Sequence, residues 1–128
     1  MMFCSGLMIP SKLIFLQVSE DRLQSEVVKY IQLQYPKVRF CASLGGIYTG
    51  PRQAMKAKRN GYQRGFPDLQ ITEARKGFHG LFIEIKTYKG TATQVQKDWI
   101  KDLQDRGYRA EICKGLPEIL DLIDSYLK

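Results

Sequence analysis

Residues 81–87 (LFIEIKT) constrain the fold of this chain more than any other segment, because they are mostly apolar and rich in strand-forming residues. A helical pattern follows them, opened by Thr93 and ended by Gly107, and residues 108–113 form a second strand-like segment. Two strands joined by a helix of this length pair in parallel, and the helix crosses over one face of the sheet. The C-terminal half of the chain therefore predicts a β-α-β unit.

The N-terminal half adds helices and strands to this unit. Ser19 suits a helix N-cap, and apolar residues recur at helical spacing after it until Tyr35-Pro36 ends the pattern. In the crossover helix, Val95, Trp99 and Leu103 lie on one stripe and predict its buried face. The predicted elements are a helix after Ser19, a strand over 38–44, a short helix over 52–59, a strand over 68–72 joined by a turn at 75–77 to the β-α-β unit, and a last helix from Pro117. This order predicts an α/β protein with a mixed sheet flanked by helices.

The 128 residues have the length of one domain, which we expect over 19–128. Residues 1–18 are apolar and are predicted to be an arm that packs on the domain or on a second subunit. This arm lacks the basic start of a secretory signal and is too short to span a membrane. We therefore expect a protein of the cytoplasm without a membrane partner.

The three cysteines and the one histidine argue against a zinc site or a disulfide scaffold. Cys4, Cys41 and Cys113 are far apart and odd in number, and no CxxC motif occurs. Because Cys41 and Cys113 lie in apolar runs, both are predicted to be buried thiols in a reducing compartment. His79 lies in a turn and is expected to be solvated.

Glu84 and Lys86 are two residues apart on the predicted strand, so their side chains point to the same face. Burying charged side chains within an apolar strand costs free energy, so such residues indicate a function. Asp68 begins the neighbouring strand directly after Pro67, and antiparallel pairing would bring Asp68 close to Glu84 at one end of the sheet. Two carboxylates so close repel each other and favour a hard divalent cation. The common tripeptide Glu84–Lys86 alone favours a surface ion pair on a half-exposed strand. Its combination with Gly65-Phe66-Pro67-Asp68 on the neighbouring strand, in a basic domain with no other site, favours a functional site.

A basic segment precedes Asp68. Residues 45–67 contain no acidic residue, Tyr48 and Tyr62 are interleaved with the cations, and the chain as a whole has a net charge of +7. The cations of this segment are Arg52, Lys56, Lys58, Arg59 and Arg64. Such a patch would neutralise phosphates of a nucleic acid, and together with Tyr62 it is the predicted nucleic-acid-binding surface. The alternative interpretation is a solvated helix face.

Residues 19–115 resemble the VRR-NUC branch of the PD-(D/E)xK nucleases, which includes small stand-alone phage and bacterial proteins and the nuclease domain of the Fanconi-associated nuclease. The likeness rests on Ser19-Glu20 with Leu23-Gln24 and Val27-Val28, Gly45-Gly46, Gly61, Gly65-Phe66-Pro67-Asp68-Leu69, Phe82-Ile83-Glu84-Ile85-Lys86, and Thr93, Gln96, Trp99, Leu103, Gly107 and Tyr108. It implies a restriction-endonuclease-like α/β fold with an αβββαβ core.

The resemblance also implies a role for each residue of the predicted site. Asp68 and Glu84 would ligate Mg²⁺, with Mn²⁺ as a substitute, and the main-chain carbonyl of Ile85 would be a further ligand. Lys86 would hold the attacking water or stabilise charge on the phosphate, and a role as general base stays open.

Two further site residues are expected from the resemblance. A glutamate of the first helix reaches the site in family members, and Glu20 and Glu26 are the candidates. Glu20 is favoured because it shares the phase of the apolar stripe. Gln96 matches a recurrent family glutamine that could orient water or phosphate, but it fits a capping box with Thr93 equally well.

The resemblance implies a metal-dependent endonuclease acting on structured DNA in DNA repair, similar to homodimeric Holliday-junction resolvases. One alternative is a flap-type, structure-specific nuclease. Another is a DNA-binding module without catalysis, which the intact set of Asp68, Glu84 and Lys86 argues against. A sequence-specific restriction enzyme ranks lowest, because little of the chain resembles a separate recognition domain.

Overall fold

The computed structural model describes residues 18–43 and 50–128. Their elements are α1 (Glu20–Gln34), β1 (Phe40–Ala42), α2 (Gly50–Arg59), β2 (Leu69–Ile71), β3 (Leu81–Lys86), α3 (Gln94–Asp105), β4 (Arg109–Lys114) and α4 (Leu116–Leu127). Three predicted features lie outside the described residues: most of the N-terminal arm, the strand end at Leu44, and the loop with Gly45, Gly46 and Tyr48.

The sheet has the predicted mixed topology. Its strands are ordered β1-β2-β3-β4, with antiparallel pairing among the first three and parallel pairing between β3 and β4. The hairpin from β2 to β3 turns at Lys76 and Gly77, whose φ angles are 55° and 87°. Positive φ at both central residues is the requirement of the tight turn that matches the twist of paired strands. The α/β class and the crossover from β3 through α3 to β4 are confirmed.

Helices cover the two faces of the sheet separately. On one face, α1 and α4 bury apolar side chains of β2 and β3, and this main core includes Leu23, Ile31, Leu69, Ile83 and Ile123. On the other face, Ile100 and Leu103 of α3 pack against Phe82 and Ala110. The hydroxyls of Tyr30 and Tyr35 both donate to Asp124, which fixes α1 against α4.

Two predictions about buried side chains are wrong. Cys41 is exposed, because β1 is the edge strand and the apolar residues that pack with α3 come from β3 and β4. Val95 is 43% exposed, so the buried face of α3 consists of Ile100 and Leu103 with Trp99 half-buried beside them. Cys113 is buried and His79 is exposed, as predicted. Within the two described ranges, no helix has the length and apolar character needed to cross a membrane.

Candidate active site

The strand register brings Asp68 and Glu84 together at one end of β2 and β3. Leu69 pairs with Ile83, and continuing the register by one residue sets Asp68 opposite Glu84. Directly opposed residues of antiparallel strands point to the same face. The Asp68 carboxylate also accepts a hydrogen bond from the main-chain N–H of Ile85, with 2.7 Å between N and Oδ2. The orientation of Asp68 is therefore fixed by the strand that carries Glu84.

Glu84 is a buried acid with a strongly shifted titration. Only 2% of its surface is exposed, in the middle of an entirely buried strand. Burial raises the pKa of Glu84 to about 8, the Asp68 carboxylate contributes to the rise, and the ammonium of Lys86 opposes it only in part. Burial and the nearby Asp68 carboxylate thus oppose the ionisation of Glu84, and a bound cation would favour it.

Lys86 lies between two carboxylates. Its Nζ is 3.3 Å from Oε2 of Glu84 and 3.8 Å from Oε2 of Glu20, and the lysine side chain is 8% exposed. Glu20 occupies this position because it begins α1, whose N-cap is Ser19. Glu26 instead pairs with Arg22 and Lys29 on the surface of the helix. Of the two candidate glutamates, the structure brings Glu20 to Lys86.

Gln96 forms the capping box of α3. The side-chain oxygen of Gln96 accepts from the main-chain N–H of Thr93 at 2.9 Å, and the main-chain N–H of Gln96 donates to the Thr93 hydroxyl. The side-chain oxygen of Gln96 therefore helps to begin the helix. Its predicted part in the site stays a prediction.

The donor set suits a hard divalent cation. Among residues 18–43 and 50–128, no cluster of three or more histidine, cysteine, aspartate or glutamate side chains could hold a metal ion. Asp68 and Glu84 offer two carboxylates, and the remaining positions around an ion would go to main-chain oxygen and water. Mg²⁺ commonly binds proteins in this way, through one or two carboxylates while it keeps several waters.

The predicted nucleic-acid-binding residues lie on an exposed helix and in the loop that leads to Asp68. No residue of α2 is buried, and its cations Arg52, Lys56, Lys58 and Arg59 are exposed. Arg64 is exposed and Tyr62 is half-buried in the following loop. A helix that contributes nothing to the core is free to present its charges to a polyanion.

Contacts with α3, which the sequence did not predict, hold the end of this loop. The indole N–H of Trp99 donates to the carbonyl of Arg64 at 3.2 Å. The ring of Phe66 packs edge-on against Trp99 and Phe82, with centroids 5.0 and 5.7 Å away. Gly65 has a φ of +90° and lies directly against Val95. These contacts fix the main chain just before Asp68. The one sequence signal for them was the presence of the aromatic residues Phe66 and Trp99.

A family model, the VRR-NUC domain, matches residues 16–117. The chain belongs to the VRR-NUC family. A solved structure described as a VRR_NUC domain protein agrees with the fold at a TM-score of 0.74, with 35% sequence identity over 86% of this chain and 88% of that chain. Among proteins with curated descriptions, none matches the chain.

Membership confirms the predicted resemblance and the α/β fold, and it gives this VRR-NUC domain a nuclease-type, DNA-processing fold. Asp68, Glu84 and Lys86 lie within the matched residues, as do α2 and the loop before Asp68.

Proposed function

We propose that this VRR-NUC domain is a metal-dependent endonuclease that hydrolyses phosphodiester bonds in branched DNA. The observation that carries the proposal is the carboxylate pair of the buried Glu84 and the half-buried Asp68, which lies beside Lys86. A buried acid whose pKa burial raises to about 8 costs folding free energy, and such costs are commonly maintained at functional sites.

In the proposed mechanism, Asp68, Glu84 and the main-chain carbonyl of Ile85 would hold Mg²⁺ or Mn²⁺. Bound there, the ion would supply Lewis-acid polarisation of the scissile phosphate and would lower the pKa of the attacking water. Lys86 donates hydrogen bonds to the attacking water or to a phosphate oxygen, where negative charge grows during the reaction. Glu20 positions Lys86 through its carboxylate, and Gln96 orients water or phosphate from the start of α3.

DNA binding is assigned to Arg52, Lys56, Lys58, Arg59, Tyr62 and Arg64. Contacts from exposed cations to phosphates are independent of base sequence, which suits an enzyme that recognises the shape of a branched substrate. Resolution of a four-way junction requires two cuts and hence two sites, so a resolvase activity requires a homodimer. The alternatives are a flap-specific nuclease and a DNA-binding module without catalysis.

The proposal is tested by incubating labelled four-way junction, flap and plain duplex DNA with the protein and Mn²⁺. We expect selective cutting of the junction and loss of cutting in Lys86→Ala. Cutting of the flap in preference to the junction would support the flap nuclease. Tight binding to all three substrates without any cleavage would support the non-catalytic module.

The DNA-binding surface has a test of its own. The double variant Lys56→Ala, Arg59→Ala should bind DNA more weakly, and its log–log salt slope should fall by up to about 2, because each phosphate contact contributes roughly 0.9. Its thermal unfolding should be unchanged, since α2 buries no residue. The matched control is Lys101→Ala, Arg106→Ala, which likewise removes one lysine and one arginine, from α3 and its C-cap. Equal effects of the two doubles would mean that net charge, rather than α2, governs binding.

A further inference from the structure

Ser43 lies beside Asp68, one member of the carboxylate pair. It follows β1 directly, and its main-chain N–H donates to the carbonyl of Asp68 at 2.9 Å. The pairing of Ala42 with Leu69, continued by one residue, sets Ser43 opposite Asp68. Since Asp68 in turn lies opposite Glu84, these three residues form a row across three strands.

The three side chains of this row point to the same face of the sheet. Directly opposed residues in antiparallel strands share a face, and their Cβ atoms are about 4.5–5.5 Å apart. The hydroxyl of Ser43 therefore lies on the side of the sheet that carries both carboxylates. Asp68 lies in the middle of the row, with Ser43 on one side and Glu84 on the other.

Among the described residues, the Ser43 hydroxyl is buried and has no hydrogen-bond partner. Within the described ranges it is the buried side-chain polar atom that lacks one. A buried hydroxyl that forms no hydrogen bond costs free energy, because it has given up its bonds with water. Proteins seldom leave such a group unpaired unless an ion, a water or a ligand completes it.

We propose that Ser43 is the third side chain of the cation site, and that its hydroxyl oxygen accepts a hydrogen bond from a water in the hydration shell of the divalent ion held by Asp68 and Glu84. This inference rests on the proposed function, because it presupposes that ion. Mg²⁺ gives up its hydration water reluctantly. A neutral hydroxyl beside the two carboxylates would therefore contact a water of the hydration shell rather than the ion itself. A water bound to a divalent ion directs its O–H groups outward, and the hydroxyl oxygen of a serine has lone pairs that can accept from them.

The test is Mn²⁺ binding by calorimetry to the DNA-free protein at pH 8, for wild type, Ser43→Ala and Ser43→Thr. Ser43→Ala should weaken Mn²⁺ binding about 3- to 10-fold, the usual range for the loss of one hydrogen bond. Ser43→Thr keeps the hydroxyl and should bind Mn²⁺ within about twofold of wild type. Ser25→Ala, on the exposed side of α1, is the matched control and should leave binding unchanged.

Thermal unfolding of the metal-free proteins separates this role from a structural one. Without Mn²⁺, Ser43→Ala should unfold at or above the wild-type temperature, because it removes an unpaired buried hydroxyl. With Mn²⁺, it should gain less stability than wild type.

Wild-type Mn²⁺ affinity in Ser43→Ala, with a lower unfolding temperature of the metal-free variant, would overturn the Ser43 proposal and leave the proposed function intact. A wild type that neither binds Mn²⁺ nor cleaves DNA would overturn both.

Discussion

At the scale of single residues, the cost of burying Glu84 is the most informative quantity. Its pKa in the folded protein is about 8, against an ordinary value of 4.5. Between these two pH values the folded state binds the proton more readily than the unfolded state does. The free energy of unfolding of the metal-free protein therefore falls as the pH rises through this window.

Glu84→Gln should consequently stabilise the metal-free protein at pH 8 and have little effect near pH 5. One pKa unit corresponds to about 1.4 kcal/mol, so the gain at pH 8 should exceed about 1 kcal/mol. The loss of the Lys86 ion pair does not reverse this sign, because burial and Asp68 outweigh Lys86 in the shift. Denaturant unfolding at both pH values measures the effect. An equal gain at both, or a loss at pH 8, would contradict the assigned cause.

The choice of Glu20 over Glu26 is also decided at this scale. Glu20→Gln removes the second carboxylate beside Lys86 and should slow Mn²⁺-dependent DNA cleavage by about 10-fold or more, because the lysine loses a partner that orients it. Glu26→Gln disrupts only exposed pairs with Arg22 and Lys29 and should cleave like wild type. The initial rates of the two variants should therefore differ. Equal rates would remove Glu20 from the site.

At the scale of elements, the loop before Asp68 depends on its contact with α3. A side chain on Gly65 would come within 2.5 Å of Val95, whereas Gly61, with a similar positive φ, has nothing within 4 Å. Alanine at either position carries a backbone penalty of roughly 1–2 kcal/mol. Only Gly65→Ala also displaces the loop from α3.

Gly65→Ala should therefore lower the cleavage rate by about 10-fold or more beyond any effect of Gly61→Ala, because it moves the main chain that leads to Asp68. Cleavage assays under conditions in which both variants are folded make the comparison. If the two variants lose the same activity, docking of this loop on α3 has no part in forming the site.

Most of the elements were predictable from the sequence, because local signals and the tertiary structure agree on them. Ser19 and Thr93 cap helices as predicted, and the hairpin and the crossover follow from strand patterns with short connections. Cys41 and Val95 were mispredicted, because burial depends on which strands a helix covers, and an apolar pattern does not contain that information. The Ser43–Asp68–Glu84 row was hidden for a similar reason, since it depends on the register of three strands.

At the scale of the whole molecule, the candidate active site and the exposed cations occupy two different regions. Two carboxylates and a lysine lie at one end of the sheet, and an excess of exposed cations lies on α2 and in the loop before Asp68. The net charge of +7 favours association with a polyanion at low salt, and the Asp68–Glu84 pair is the proposed cation site. DNA affinity and DNA cleavage should therefore be separable by mutation.

The most direct test of the central claim is the cleavage rate of Asp68→Asn, with DNA affinity measured in parallel. Asparagine keeps the oxygen that accepts from the N–H of Ile85 and removes the charge that would hold the cation. We expect wild-type cleavage that requires Mn²⁺ or Mg²⁺ and stops in chelator, a variant slower by about 1000-fold, and DNA affinity in Ca²⁺ within a few-fold of wild type. Cleavage by Asp68→Asn at the wild-type rate, or cleavage by wild type in chelator, would contradict the assignment of this site.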